Sequence, residues 1–347
     1  MKKAAISTIV LLVLFSIAIG GCLQPEEGET NTNQIKITDS AGRNLTIEQP
    51  VEKVVTLTGD SAEVTRALAA TDKIVGKSMF MTGEYWSNLS NVSVVGSSMT
   101  GANVEKIVEI NPDVVITYTA FNEDLEDELK PFNITVLRLD FYKSQTMKTE
   151  IEKLGKVLDK EEQAQELINF YDKYEQRITE KVENIPSDER VDVYVEGLHK
   201  YDTASSDSGW HQQIVLAGGN NIAADLEKER PDVSSEWVLE QDPDAVVKVT
   251  GDALGYSIEN NTLAKNLKEG MENRSGWKTL SATKNDRIYL VSNELISGLR
   301  YPVGTAYVAK NLYPDRFQDL DPNEIHKKYL QEFQGIEYEG RWFYPSK

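Results

Sequence analysis

Hydrophobic residues in the first half of the chain alternate between two spacings. The apolar run VEKVVTLTG, which ends at Gly59, indicates a strand, whereas the following SAEVTRALAA has apolar residues at helical spacing. The same alternation continues through DKIVGKS, ANVEKIVEI, VVITY, LEDELKPF and ITVLRLD, and KITDSAGRNLTI indicates a hairpin. Repeated strand–helix units of this kind predict a parallel sheet covered by helices.

The pattern changes across residues 144–184, where helical spacing is almost uninterrupted. This segment contains no proline and a single glycine, Gly155. Asp159, with Glu162 three residues later, predicts a short break at which a second helical segment is capped. From Val191 the strand–helix alternation returns, in VDVYVEG, GWHQQIVLAGG, SSEWVLEQ, AVVKVT, DRIYLVS and GTAYVAKNLYP.

The sequence therefore predicts an α/β fold of two Rossmann-like α/β lobes joined by a single long helix, with a ligand cleft between the lobes. The predicted bounds are 36–143 for the N-terminal lobe, 144–184 for the connecting helix and 185–347 for the C-terminal lobe. A chain of 347 residues is long enough for two domains of ordinary size. One stiff helix between the lobes predicts a small hinge motion.

Two helix–turn–strand stretches, VEKIVEINPDVVI at 104–116 and SEWVLEQDPDAVV at 235–247, align without a gap. We call them the two aligned corners. Each contains a glutamate near the helix start, then a proline and an aspartate before a strand: Glu105, Pro112 and Asp113, and Glu236, Pro243 and Asp244. The proline and the aspartate are typical of turns. For the glutamates, the residues alone leave two interpretations open: stabilisation of the helix start through its dipole, or a paired function.

The N-terminus has the layout of a secretory signal. Two lysines precede an apolar run that is too short and wrongly flanked for a transmembrane anchor, and small residues follow it. Residues 1–21 are therefore predicted to be a lipoprotein signal peptide, since Ile19-Gly20-Gly21-Cys22 resembles a lipobox. Cys22, the only cysteine of the chain, is the predicted lipidation site. The polar segment 22–35 predicts a flexible tether, so we expect an extracytoplasmic protein anchored by lipid to the cell membrane.

Composition and net charge restrict the classes of binding partner and of function. The net charge of −19 argues against nucleic acids and anionic membrane surfaces, which would repel the protein, although acidity is also common for solubility alone. We find no nucleophile elbow, P-loop or H-E-x-x-H motif, so no enzymatic activity is expected. No cofactor is expected, and the protein is expected to be a monomer.

Several of these segments together resemble the substrate-binding proteins of ABC importers, from the group whose two lobes are joined by a rigid helix and that includes siderophore-, haem- and cobalamin-binding proteins. The resemblance covers the chain from about Lys53 onward. It is carried by the turn at Leu57–Glu63, the two aligned corners, AGGNNIA at 217–223, RYPVGTAYVAKNLYP from Arg300, and DLDPNEIHKKYLQEF after it.

The resemblance implies a role for the two matched glutamates. In the family, an exposed glutamate of each lobe docks onto arginines of one transporter subunit, and the matching positions are Glu105 and Glu236. A binding protein with two similar lobes can engage a two-fold permease with one charge for each subunit. The implied partners are thus a permease dimer with its ATPase.

The resemblance also puts the loops after the strands at the mouth of the cleft. The ligand-binding side chains expected there are Asp60, Ser61, Phe80, Met99, Tyr118, Phe121, His199, Tyr201, Trp210, Arg300 and Tyr301. Each aromatic residue has core packing as its competing interpretation, and Trp210 in particular begins a predicted helix. Arg300 is expected to pair with a ligand carboxylate or catecholate, or to stack on a ring.

The aromatic content suits a flat, bulky ligand such as a macrocycle or a chelate with aromatic arms. Direct metal binding is not expected, because the chain has only three histidines and His199 and His211 lack a metal-binding spacing. One histidine as an axial ligand of a haem or cobalamin metal stays open. We therefore expect a small-molecule metal chelate of the iron–siderophore type, with cobalamin, another corrinoid or haem as the alternative.

Two departures from the family's pattern bear on the ligand. Siderophore binders often have several arginines in the cleft, and only Arg300 is expected there. Cobalamin binders often have a tryptophan near the position of Met99, where this chain has none. An enzyme on the same two-lobed scaffold and an adhesin or sensor domain are the competing functional classes.

Overall fold

The computed structural model describes residues 33–345. The predicted signal peptide, the predicted lipidation site Cys22 and most of the predicted tether lie outside the described residues. The tether prediction runs two residues too far, because the first strand begins at Gln34. Within residues 33–345, no helix combines the length and the apolar character needed to cross a bilayer.

The first lobe contains a hairpin, a parallel sheet and short covering helices. Its strands are β1 Gln34–Thr38, β2 Asn44–Glu48, β3 Val54–Thr56, β4 Ile74–Lys77, β5 Ser93–Val94, β6 Gly96–Ser97, β7 Gly101–Ala102, β8 Val114–Thr117 and β9 Thr135–Arg138. Its α-helices are α1 Gly59–Ala67, α2 Val104–Ile110 and α3 Leu125–Leu129, and 3₁₀ turns lie at Thr71–Lys73, Glu84–Leu89 and Lys130–Phe132. The parallel sheet has the order β5-β4-β3-β8-β9, and the side chains of β3 and β8 are fully buried.

Two helices connect the lobes, α4 Met147–Leu158 and α5 Glu161–Val182. The predicted break at Asp159 is present, but its predicted role as an N-cap is wrong. Asp159 has a left-handed backbone (φ 56°) and ends α4, and α5 begins without a side-chain cap. Gly155 permits the close approach at this turn, since a Cβ there would lie 2.7 Å from the Cβ of Ala164.

The second lobe repeats the architecture of the first. Its strands are β10 Asp192–Glu196, β11 Asn220–Asn221, β12 Ala245–Thr250, β13 Ile288–Ser292 and β14 Phe343–Tyr344, in the order β11-β10-β12-β13-β14. Only β14, at the edge of this sheet, pairs antiparallel. The α-helices are α6 Gly209–Leu216, α7 Ser235–Gln241, α8 Thr262–Glu272, α9 Ser281–Lys284, α10 Asn293–Ile296, α11 Tyr301–Leu312 and α12 Pro322–Tyr329. A π-helical turn, Leu330–Gln334, follows α12, and 3₁₀ turns lie at Ser187–Glu189, Trp277–Thr279 and Gly298–Arg300.

The two aligned corners have the same construction. Helices α2 and α7 each end at a residue in the left-handed conformation, Asn111 and Asp242, directly before the proline. The aspartate after each proline then accepts backbone N–H groups at the start of the neighbouring strand. Asp113 Oδ2 accepts from Glu52 and Lys53 at 2.8 Å. Asp244 Oδ2 accepts from the N–H of Asp192 at 3.1 Å, so each aspartate fixes two parallel strands together.

Hydrogen bonds from α5 and from the C-terminal segment also tie the two lobes together. The fully buried Tyr171 of α5 donates its hydroxyl to Leu299 O at 2.7 Å. The C-terminal segment returns to the first lobe, where Gln334 accepts from Arg66 Nε at 2.6 Å and donates to Glu63 O at 3.2 Å. One apolar core runs through both lobes and the connecting helices. These buried contacts favour a small relative motion of the lobes.

Candidate functional site

A cavity of about 410 Å³ lies between the two lobes. Its walls come from four loops that follow strands β3, β4, β12 and β13, so the carboxyl ends of both sheets face it, as is usual for ligand sites of open α/β sheets. The first lobe contributes Gly59, Asp60, Glu63, Phe80, Thr82, Tyr85 and Trp86. The second lobe contributes Gly251, Leu254, Gly255, Tyr256, Ser257, Ile258, Asn293, Glu294, Ser297 and Arg300.

The floor of this interlobe cavity is a buried charge cluster. Arg300 Nε lies 3.1 Å from Glu63 Oε1, and Arg300 Nη1 lies 2.8 Å from Glu294 Oε2. The hydroxyl of Tyr329 also donates to Glu63 Oε1, at 2.8 Å. Burial disfavours the charged guanidinium, but the carboxylates of Glu63 and Glu294 outweigh it and hold the pKa of Arg300 well above its usual value. Arg300 is therefore a cation whose charge the protein itself already neutralises.

Asp60 lies in the first turn of α1, beside this cluster. Its Oδ2 accepts the hydroxyl of Tyr118 at 2.5 Å. Burial and the nearby Glu63 raise the pKa of Asp60 to about 6, against the lowering effect of the Tyr118 hydrogen bond and of Arg300. Gly298 of the second lobe has φ +71°, and a Cβ there would lie 2.6 Å from Asp60 Oδ1. A glycine is thus needed at 298, for its backbone conformation and for the close approach to Asp60.

The walls of the cavity are aromatic. The rings of Tyr85 and Tyr256 come from different lobes and meet edge to face with centroids 5.4 Å apart. Trp86 contacts Tyr85 in the same way at 4.9 Å, and the guanidinium of Arg66 lies over both rings of the first lobe at 4.5 and 4.8 Å. Phe80, whose residue is 58% exposed, stands at the opening. Packing holds Tyr85, Trp86 and Tyr256 in place before any ligand arrives.

The structure brings some of the first lobe's predicted site residues together. Asp60 and Phe80 line the cavity, and Tyr118 supports Asp60. Ser61 is fully buried, and its hydroxyl donates to Thr58 O at the start of α1, so its role is local. Met99 and Phe121 are 66% and 38% exposed on neighbouring loops, where they extend the apolar surface of this lobe.

The second lobe departs further from the prediction. Arg300 lines the cavity, but Tyr301 is buried and lines a different cavity of about 410 Å³, between the connecting helices and α6. Trp210 is also buried: its Nε1 donates to Ser297 Oγ at 3.0 Å, and the guanidinium of Arg230 covers its ring at 3.6 Å. For Trp210, core packing was therefore the better interpretation.

His199 and Tyr201 lie on a loop that a buried cation holds. Lys248 Nζ lies 3.2 Å from Glu196 Oε1 and donates to Gly197 O at 2.5 Å. His199 is exposed on this loop, and Tyr201 packs against Trp277 with ring centroids 6.2 Å apart. The polar atoms of this loop surround Lys248, and these contacts explain the conformation of the loop.

Sequence reasoning missed Glu63, Tyr85, Trp86, Tyr256 and Glu294. Each lies on a loop, turn or helix that follows a strand, so the position after a strand was the available signal. Tyr85 and Trp86 lie beyond Phe80, the last residue predicted on the segment after β4, and Tyr256 lies on the loop after β12, for which no site residue was predicted.

The two matched glutamates are exposed in the first turns of α2 and α7. Other side chains cap these helices. Asn103 Oδ1 accepts from Lys106 N at 3.0 Å, and Ser234 Oγ accepts from Trp237 N at 3.1 Å. Glu105 and Glu236 are therefore not needed as caps, which leaves their carboxylates facing solvent.

Among residues 33–345, no group of three or more His, Cys, Asp and Glu side chains is arranged to hold a metal ion. His211 lies near Asn221, with Nδ1 and Nδ2 3.1 Å apart, and burial lowers its pKa. His326 is fully buried, with its ring 4.4 Å from that of Trp342.

Comparison with known proteins agrees with this geometry. The family model described as "Periplasmic binding protein" matches residues 54–295. The chain is 28% identical over 334 residues to the uncharacterized ABC transporter substrate-binding lipoprotein YvrC of Bacillus subtilis, covering 92% of this chain and 100% of that protein. The molybdate-binding protein MolA of Haemophilus influenzae is 24% identical, with coverage of 87% and 91%. A cobalamin-binding protein of Halobacterium salinarum is 27% identical, with coverage of 71% and 68%.

A solved structure has the same fold. The TroA-like periplasmic binding protein FepB of Veillonella parvula superimposes with a TM-score of 0.77 at 25% identity, covering 90% of this chain and 100% of that chain. The predicted α/β fold with two lobes is confirmed.

Proposed function

The chain belongs to the periplasmic binding protein family and is the substrate-binding component of an ABC transporter, and we propose that it captures a siderophore-type iron chelate in the interlobe cavity. Binding proteins of this class pair with a permease and an ATPase, bind small ligands and are not enzymes. The chelate would be released to the permease after the protein docks.

The observation that carries this proposal is the interlobe cavity with its aromatic walls. Its volume falls within the range of about 300–1,000 Å³ common for small-molecule sites. Phe80, Trp86 and Tyr256 offer flat apolar surfaces, which suit the organic part of a chelate better than a bare ion. Met79, Met99 and Phe121 expose further apolar surface on loops of the first lobe, which favours a ligand that extends beyond the cavity.

Cobalamin is the second candidate, with other corrinoids and haem in the same class. The similarity to a cobalamin-binding protein over 71% of the chain favours it, and the aromatic walls suit a macrocycle equally well.

The placement of the protein in the cell is part of the proposal. We propose cleavage after residue 21 and lipidation of Cys22, which would hold a monomeric binding protein at the outer face of the membrane on the segment before Gln34. We also propose that Glu105 and Glu236 each meet an arginine of one permease subunit. Their exposure on the same corner of the two lobes supports this role.

The test is a binding titration of the mature protein against ferric siderophores, haem and cobalamin. Trp86 lines the cavity, so bound ligand should quench its fluorescence. Binding of an iron chelate tighter than about 10 μM is expected, and failure to bind below that level would contradict the proposed ligand class. The variant Trp86→Phe separates the fluorescence signal from ligand binding. Its quenching should decrease, whereas calorimetry should show that the ligand still binds.

A further inference from the structure

The interlobe cavity is acidic. Three carboxylates line it, those of Asp60, Glu63 and Glu294. Arg300 is the only positively charged residue among the described residues of its lining. Glu84 and Asp252 lie exposed on two of the loops that form its walls. An incoming anion would therefore meet more negative than positive charge, in a partly enclosed space where solvent screening is weak.

Arg300 is not available to balance an anionic ligand. Its Nε and Nη1 already lie against Glu63 and Glu294, and the rings of Tyr85 and Trp342 lie 4.7 and 5.2 Å from its guanidinium carbon. Moving Arg300 toward a ligand would leave the buried Glu63 without its partner, which is costly. The sequence prediction that Arg300 pairs with a ligand carboxylate or catecholate therefore has no support in this geometry.

The next cation of the first lobe is also engaged. Arg66 Nε donates to Gln334 Oε1 at 2.6 Å, and its Nη1 donates to Tyr85 O at 2.8 Å. The Arg66 guanidinium lies over the rings of Tyr85 and Trp86. It serves the aromatic wall and the C-terminal segment, so it adds no cation to the cavity surface.

Two carboxylates, one from each lobe, are the best placed to meet a ligand. The Glu294 side chain is 41% exposed, with Oε2 on Arg300, and its Oε1 lies 3.2 Å from where a Cβ of Gly255 would be. Asp60 Oδ2 accepts from Tyr118, and Oδ1 is next to Gly298 of the other lobe. A ligand with hydrogen-bond donors or positive charge can thus contact both lobes at once, and the faces of the aromatic walls also attract cations.

We propose, on the premise of the proposed function, that the interlobe cavity selects neutral or cationic chelates with outward hydrogen-bond donors and rejects anionic ones. Among iron chelates, this favours the trihydroxamate class over tricatecholates. Among corrinoids, it favours a form with positive charge on the metal. It also disfavours a free oxyanion such as molybdate.

The test compares ligands of similar size and different charge on the mature protein. The ferric complex of desferrioxamine B is a cationic trihydroxamate, and ferric enterobactin is an anionic tricatecholate. Aquocobalamin and cyanocobalamin form a second pair, which differs mainly in the charge at cobalt. We expect the cationic member of whichever pair binds to bind at least about tenfold more tightly, with an advantage that shrinks as salt is added.

Variants assign the preference to the two carboxylates. Glu294→Gln and Asp60→Asn should each reduce the advantage of the cationic ligand by about threefold or more, whereas Glu123→Gln, on an exposed loop of the first lobe, should leave it unchanged. Circular dichroism checks that each variant is folded.

The outcomes separate the two proposals. Tighter binding of ferric enterobactin or molybdate than of the cationic probes would overturn the charge preference and leave the proposed function standing. An unchanged preference in both folded carboxylate variants would also overturn it. Failure of every chelate to bind would overturn the proposed function, and this inference with it.

Discussion

Glu63 and Arg300 are 237 residues apart in the sequence and form a buried ion pair at the floor of the interlobe cavity, with Nε 3.1 Å from Oε1. Glu63 belongs to α1 of the first lobe, and Arg300 directly precedes α11 of the second. Both residues are about 95% buried, and Tyr329 supplies a further hydrogen bond to Glu63. The pair therefore ties the two lobes together beneath the site where a ligand would bind.

Breaking this pair should destabilise the whole chain. We expect Glu63→Gln to lower the free energy of unfolding by about 3–5 kcal/mol, because it leaves the buried Arg300 short of a counter-charge. The double variant Glu63→Leu/Arg300→Met should recover most of that loss. Urea unfolding measures both. As a control, Glu269→Gln, which removes an exposed pair with Lys265 at 3.9 Å, should change stability by under about 0.5 kcal/mol.

A stable Glu63→Gln variant, or a double variant no more stable than the single one, would contradict this account of the floor.

Asp60 should give stability an unusual dependence on pH. Its pKa is about 6 in the folded protein and 3.8 as an ordinary carboxyl, so between these values the folded state binds more protons than the unfolded state. The contribution of Asp60 to stability is therefore largest below pH 3.8 and is lost as pH rises through about 6. The charged and titratable groups around it are Glu63 and Tyr118 of the same lobe and Arg300 of the other.

The measurement is the free energy of unfolding of the wild type and of Asp60→Asn between pH 4 and pH 7.5. We expect Asp60→Asn to gain stability relative to the wild type as pH rises through about 6, since the amide has no charge to bury. The same ionisation should make a cationic chelate bind more tightly at pH 7 than at pH 5 in the wild type only. Parallel curves for the two proteins would exclude this role of Asp60.

His326 should give stability the opposite dependence on pH to that caused by Asp60. Burial, together with repulsion from Arg300, lowers its pKa well below 6.5, and neither ring nitrogen has a hydrogen-bond partner among the described residues. Below pH 6.5 the unfolded chain binds a proton at this histidine that the folded protein does not bind. The free energy of unfolding therefore decreases as the pH is lowered, by up to about 1.4 kcal/mol for each pH unit. His326→Phe should remove this loss, because the ring already packs edge to face against Trp342 and Tyr338.

Thermal unfolding at pH 5 and pH 7.5 tests the role of His326, with His199→Gln as the control at an exposed histidine. If His326→Phe loses as much stability at pH 5 as the wild type, another group causes the acid sensitivity.

The fold could be predicted because its apolar runs and helical spacings are local features of the sequence. Buried strands such as Val114–Thr117 and Ala245–Thr250 are mostly apolar runs, as parallel strands with both faces covered usually are, although Lys248 interrupts the second. The turn after α4 was harder, because Asp159 suits an N-cap by composition while its left-handed backbone ends the preceding helix.

The site was predicted only in part because it depends on which loops meet across the two lobes. Arg300 and Tyr301 are neighbours in sequence, yet they line different cavities, since successive residues at a helix start point in different directions. Glu63 and Tyr85 belong to the site only because Arg300 and Tyr256 of the other lobe lie opposite them. Such pairings follow from the packing of the lobes, and no local pattern carries them.

The last prediction concerns the glutamates of the two aligned corners. Glu105→Arg combined with Glu236→Arg should abolish uptake in cells that carry the transporter, because two carboxylates that would face permease arginines become repulsive. Ligand affinity of the purified double variant should stay unchanged, since α2 and α7 contribute no residue to the cavity lining described here. Uptake of the labelled chelate and a binding titration measure the two effects separately.

The matched control is Glu109→Arg with Glu240→Arg. These glutamates are exposed on the same two helices, so the control changes the net charge by the same amount at nearby positions. The control should retain most of the uptake, because the first-turn carboxylates remain. Equal loss of uptake in both double variants would indicate a general charge effect, and full uptake in Glu105→Arg/Glu236→Arg would rule out docking through these glutamates.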